Sequence, residues 1–186
     1  MNFNLNFQPQ VARKVNRHGK AKILNAEELP KLFSEGLATD RDRCIFAICY
    51  FTTCRISECV QLQLSDVQNG VITFRKSTTK GKGATRQIAI DANLKPFLDD
   101  WLNERGSVNS PYLFPGRRGS KTGHLTARMA DEILREACDL IGIDGASTHS
   151  FRRSGITNLH KQGYAPHEIA QISGHRDITN VSHYIG

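Results

Sequence analysis

Five side chains in this sequence have the types and spacing for phosphate chemistry. His149 and Arg152 stand in Thr148-His-Ser-Phe-Arg-Arg-Ser-Gly, and His175 in Ser173-Gly-His-Arg. Tyr184 follows nine residues later in Ser182-His-Tyr-Ile, and Arg55 lies far upstream in Thr53-Cys-Arg-Ile-Ser-Glu. A phosphodiester is an anion, so a nucleophile must meet a group whose charge has been offset. Arginine is suited to offsetting it, because its planar fork donates two parallel hydrogen bonds to phosphate oxygens and it never loses its charge. A tyrosine phenol, with a reference pKa of about 10, needs help losing its proton at neutral pH, and a histidine can take it. Two arginines, two histidines and a tyrosine can thus attack a phosphodiester with a phenol and no metal ion.

The elements that must position these groups read as mostly helical. Asn25 with Glu28 resembles a capping box, and Pro30 leaves open where the helix settles. Thr39 with Asp42 offers a second start, followed by Ile45, Ile48 and Phe51 on one apolar side. Gly36 and the residues around Thr53 interrupt these runs, and a third helix opens at Ile56-Ser-Glu with Val60 and Leu64 facing inward. A strand pair follows: Gly70-Val-Ile-Thr-Phe, the basic turn Lys76-Ser-Thr-Thr-Lys-Gly-Lys-Gly, then Arg86-Gln-Ile-Ala-Ile. Beyond it, helices are predicted over about 92–104, 126–142, 150–162 and 166–173, with a last turn near 177–184. Phe114-Pro-Gly-Arg-Arg-Gly-Ser-Lys-Thr-Gly reads as a loop. The fold class is mainly α (α+β), with one small antiparallel hairpin or sheet.

Composition narrows the partners. A chain of 186 residues that is 39% hydrophobic can bury one good core, and a net charge of +7 suggests a polyanion. Charge divides the chain: no acidic residue precedes Glu27, while Arg13, Lys14, Arg17, Lys20 and Lys22 all do. Residues 1–24 therefore read as a flexible basic arm or linker, and 25–186 as the folded domain. Neither a signal peptide nor a membrane-spanning stretch is apparent, so a cytoplasmic setting is expected. Cys44, Cys49, Cys54 and Cys59 recur every five residues. On a helix, steps of five turn each sulfur by roughly 140°, so the thiols should scatter; buried, reduced cysteines and no metal site are expected.

Arg-x-Ser-Glu at Arg55, His-x-x-Arg at His149, Gly-His at His175 and the following Tyr184 resemble the tyrosine recombinase (phage integrase) family. Their order matches, and so do the intervals, with 23 residues from Arg152 to His175 and nine more to Tyr184. The resemblance covers about residues 25–186, the family's catalytic domain. It implies that Arg55 and Arg152 clamp the scissile phosphate and that His175 adds a hydrogen bond to a nonbridging oxygen. His149 would serve as general base or orient the phenol, and Tyr184 would form a 3′-phosphotyrosine bond, leaving a free 5′-hydroxyl. Glu58 would support Arg55. A hairpin-turn lysine protonates the leaving oxygen in the family; Lys80 matches the Thr-Lys-Gly turn best, with Lys82 the other choice.

Double-stranded DNA is the implied partner, with four subunits assembling on it, and no cofactor or metal is implied. Lys82, Arg117, Arg118, Lys121 and Arg153 are further candidates for DNA contacts, whereas His160, His167 and His183 match nothing catalytic. Family members usually carry a helical DNA-clamping domain ahead of the catalytic one and a tail that docks on a neighbouring subunit. A shortened chain and a naturally minimal recombinase both fit. Strand nicking and closing of the type IB topoisomerase kind shares this chemistry, and a DNA-binding protein with an inactive site is a third reading. A bacterial or phage origin is expected.

Overall fold

Side-chain caps begin the helices where the sequence placed them. Asn25 Oδ1 accepts the N–H groups of Glu27 and Glu28 at 2.9 and 2.8 Å, and the Glu28 carboxylate accepts the Asn25 N–H at 3.2 Å. In the computed structural model, which describes residues 21–78, 84–117 and 119–185, this opens helix α1 (Glu28–Lys31). Pro30 falls in the first turn, where its missing N–H costs nothing, and the chain runs on as a π-helical turn, Leu32–Gly36. Thr39 Oγ1 accepts the Asp42 N–H at 3.1 Å and opens α2 (Asp40–Phe51). Every residue from Cys44 to Cys49 is buried, so α2 is the central helix of the core rather than a one-sided one.

After a break at Thr52–Arg55 comes the short α3 (Ile56–Cys59). Val60 is buried as expected, but Leu64 already belongs to a separate 3-10 turn, Leu64–Asp66. The sheet is antiparallel, with β1 (Val67–Gln68), β2 (Val71–Phe74) and β3 (Arg86–Ala89) in chain order. β2 and β3 are the expected strand pair, with Phe74 opposite Arg86. β1, at two residues, is too short to show an alternating pattern. The remaining helices are α4 (Lys95–Arg105), α5 (Ala127–Ile141), α6 (Thr148–Lys161), α7 (Pro166–Ser173) and α8 (Thr179–Ile185). The fold is mainly α with one small sheet, as the sequence indicated. Among the described residues no helix is long and apolar enough to cross a membrane.

Two apolar clusters hold the elements together. In the larger, Phe46 of α2 stacks on Phe151 of α6 with ring centroids 4.7 Å apart. In the smaller, Ile156 of α6, Ile169 and Ala170 of α7 and Val181 of α8 are buried together, with Tyr184 packed against them. Residues 21–24 join the body rather than an arm: Leu24 is buried, its N–H donates to Ser154 Oγ at 2.8 Å, and Arg153 donates to the Ala21 carbonyl at 2.8 Å. Arg13, Lys14, Arg17 and Lys20 of the basic segment, and Lys80, Lys82 and Arg118, lie outside the described residues.

α2 and α6 meet at a glycine. A Cβ at Gly155 would fall onto the Tyr50 carbonyl oxygen, a backbone atom that cannot swing aside. Gly155→Ala should therefore destabilise the protein by about 2 kcal/mol or more, in the upper part of the overpacking range. Urea unfolding at unchanged m-value checks it, and a loss below about 0.5 kcal/mol would show that the two helices can separate freely.

Candidate active site

His149 and Arg152 lie three residues apart in the first turns of α6, which puts them on one face of the helix. Arg152 is 1% exposed. Its Nη1 donates to the carbonyls of Thr53, in the break after α2, and of Ser173 at 2.9 Å, at the end of α7. Its Nη2 donates to His175 Nε2 at 2.9 Å. One guanidinium thus joins three chain segments. Thr53 holds its carbonyl in place with φ 51°, a conformation that costs a β-branched residue about 1–3 kcal/mol.

His175 follows Gly174, the left-handed cap of α7 at φ 69°. Since an arginine can only donate, His175 Nε2 is the acceptor in its bond with Arg152. The proton then sits on Nδ1, which donates to Ser173 Oγ at 2.6 Å, and that hydroxyl donates on to the Ile169 carbonyl at 2.6 Å. Burial, then the charges of Arg152 and Arg55, push the His175 pKa down to about 4. Free of ligand, His175 is therefore neutral with Nε2 accepting, and Nε2 carries a hydrogen to give once the imidazole takes up a proton.

Tyr184 reaches the same cleft from α8. Its hydroxyl lies 2.8 Å from His149 Nε2, and its ring centroid is 5.2 Å from that of His175. Thr157 of α6 donates to the Tyr184 carbonyl at 3.0 Å and so anchors the backbone that presents the phenol.

Arg55 stands at the N-terminus of α3. The Glu58 carboxylate accepts its backbone N–H at 2.8 Å and lies 3.5 Å from its Nη1. Glu58 is fully buried and has a second partner that sequence reasoning missed. Arg86, the first residue of β3, grips it through both ends of its fork, at 3.3 and 3.0 Å. Burial alone would raise the Glu58 pKa, but the hydrogen bonds and charge of Arg86, then the N–H and charge of Arg55, outweigh it and hold the carboxyl below its usual range. Arg152 is pushed down to about 10, first by burial and then by repulsion from Arg55, and stays charged at neutral pH. Arg55 Nη1 and Arg152 Nε are buried donors without a hydrogen-bond acceptor.

The structure therefore gathers Arg55, Glu58, His149, Arg152, His175 and Tyr184 in one cleft. Other candidates fall elsewhere. Arg153 is engaged with Ala21, Arg117 lines a groove with Ala38, Met129 and Leu140, and Lys121 is exposed on its loop. The cysteines also depart from expectation. The Sγ atoms of Cys49, Cys54 and Cys59 lie within 4.8 Å of one another, because α2 ends before Cys54 and the three thiols come from different segments. All three are buried and free.

A model of the phage integrase family matches residues 22–186. The chain belongs to the phage integrase family, the tyrosine recombinases. Tyrosine recombinase XerA of Pyrococcus furiosus is 31% identical over 167 residues, which are 88% of this chain and 56% of that protein. Tyrosine recombinase XerD of Mycobacterium tuberculosis is 30% identical over 161 residues, 81% of this chain and 49% of that protein. The chain thus spans about half the length of these relatives. The crystal structure of XerA recombinase superposes with a TM-score of 0.77 at 21% identity, over 89% of this chain and 58% of that one. XerH site-specific recombinase bound to difH substrate gives 0.71 at 24% identity, over 88% of this chain and 50% of that one.

The depressed pKa of His175 has a consequence for stability. Unfolded, the imidazole binds its proton below about pH 6.5; folded, it does so only below about 4. Between these values the unfolded chain holds the extra proton, so stability rises with pH across this window and is lost as the solution is acidified through it. Denaturant midpoints measured from pH 7 to 4 should fall, and His175→Gln should flatten that slope. An equal slope in the variant would place the titrating group elsewhere.

Proposed function

We propose that this chain is the catalytic domain of a site-specific DNA recombinase that cleaves and rejoins duplex DNA through a 3′-phosphotyrosine bond on Tyr184. The observation that carries the reading is the phenol of Tyr184 at 2.8 Å from His149 Nε2, beside the Arg152–His175 pair, all within one chain. The net charge of +7 and the DNA-bound XerH relative agree with a DNA substrate.

The scissile phosphate enters between Arg55 and Arg152, where their charges offset its own and stabilise the extra negative charge of the pentacoordinate transition state. Tyr184 Oη bonds to phosphorus as its proton passes to His149 Nε2, and the bond from phosphorus to the 5′-oxygen breaks. The departing oxygen takes a proton from a lysine of the β2–β3 turn, Lys80 in preference to Lys82. Burial first and the charges of Arg152 and Arg55 second keep His175 neutral, and the bound phosphate offsets the second contribution. Once protonated, His175 keeps Nδ1–H on Ser173 and turns Nε2–H toward a nonbridging oxygen. Attack on the phosphotyrosine by another 5′-hydroxyl reverses each step and reseals the strand. The bond energy is conserved in the phosphoester, so no ATP is consumed. Assembly of four such subunits on two duplexes completes the exchange.

Tyr184→Phe should abolish covalent attachment to suicide duplexes carrying candidate sites, with DNA affinity unchanged within about twofold, because the phenol oxygen acts in bond making. An SDS-stable protein–DNA adduct from this variant would move the nucleophile to another residue.

A further inference from the structure

Arg86 touches neither the nucleophile nor its histidine, yet three parts of the cleft converge on it. Its fork closes on the Glu58 carboxylate, which in turn carries the N–H of Arg55. Its guanidinium carbon lies 4.4 Å from the centroid of the Phe74 ring, the residue opposite it across the sheet. On a further side it abuts Gly174: a Cβ there would come within 2.9 Å of Nη1 and 3.2 Å of Cζ. The side chain is only 10% exposed, and Nε is buried without an acceptor. An ammonium group has the charge for Glu58 but neither the flat face for Phe74 nor the two-pronged edge for the carboxylate.

We propose that Arg86 is a positioning residue that locks the start of α3, the β2–β3 sheet and the Gly174–His175 turn into one arrangement, setting Arg55 and His175 for catalysis. The inference rests on the recombinase reading above. Arg86 acts through Glu58 on the arginine that meets the phosphate, and through Gly174 on the backbone that carries the histidine. Its charge adds to those that keep His175 neutral before substrate arrives. It also ties this centre to the hairpin whose turn holds Lys80 and Lys82.

The test uses Arg86→Lys and Arg86→Gln in the whole chain, each checked for a native circular dichroism spectrum and a melting temperature above that of the assay. Adduct formation with a suicide duplex should slow by about 10–100-fold in both, the range for partners that orient a reacting group, while DNA affinity changes by less than about twofold. In the DNA-free protein, the His175 imidazole followed by NMR should titrate at higher pH in Arg86→Gln than in the parent chain. A merely structural role would lower the melting temperature and leave both the cleavage rate and the His175 titration where they were; that result overturns the proposal. If Arg86→Gln does not fold, Arg86→Lys, which keeps the charge but not the fork or the flat face, decides through the cleavage rate alone: an unchanged rate overturns the proposal. Should the parent chain form no adduct with any duplex, the recombinase reading fails, while the His175 titration still judges whether Arg86 controls that residue.

Discussion

The buried carboxylate of Glu58 is the constraint around which this cleft is organised. An uncompensated carboxylate in such a place would cost far more than the fold can supply, so its oxygens must be matched with cations and N–H donors. Arg86 and Arg55 supply them. Adding the buried Arg152 gives three positive charges against the single negative charge of Glu58, a surplus of two among these four groups. Burial first, and then this surplus, push Arg152 down to about 10 and His175 to about 4. In the proposed reading such a site is prepared for an anion before one arrives, with the reorganisation that water would need completed during folding.

The rest of the fold keeps these like charges together. Arg152 is held by backbone carbonyls rather than by an acid, so its charge stays available. One of those carbonyls belongs to Thr53, whose left-handed backbone survives because α2 and α6 close around it. The proposed nucleophile, Tyr184, depends on a separate, smaller cluster of Ile156, Ile169, Ala170 and Val181, and on the bond from Thr157 to its carbonyl. The proposed phosphate clamp and nucleophile thus draw on two clusters joined by α6.

Much of this was legible in the sequence. Caps at Asn25 and Thr39 and the helix expected over about 126–142 marked elements that the structure contains. The motifs around Arg55, His149, Arg152, His175 and Tyr184 identified residues that do converge. Arg86 escaped because an arginine opening an alternating strand looks like a solvated surface residue. The signal lay in Glu58, a carboxylate read as support for Arg55 whose own charge balance was not followed further, and in Gly174, whose missing side chain makes room for a guanidinium. The tautomer of His175 needed a distance, since only the contact with Arg152 decides which nitrogen carries hydrogen. The clustering of three thiols was hidden by assuming one continuous helix through Cys54, where α2 in fact stops at Phe51. Residues 21–24 looked like part of an arm because their anchors, Arg153 and Ser154, lie over a hundred residues away.

If the surplus charge gathered around Glu58 forms a ready site for one phosphate-like anion, that anion should bind without DNA. Titration of the DNA-free protein with orthovanadate at pH 8, followed through the arginine side-chain Nε–H resonances, reads this out. Binding should saturate at one anion per chain, with shifts confined to Arg55, Arg152 and their partner Arg86, and the His175 pKa should rise as the anion offsets its neighbours. Shifts spread without saturation over exposed arginines such as Arg128, with His175 unmoved, would contradict a preformed site.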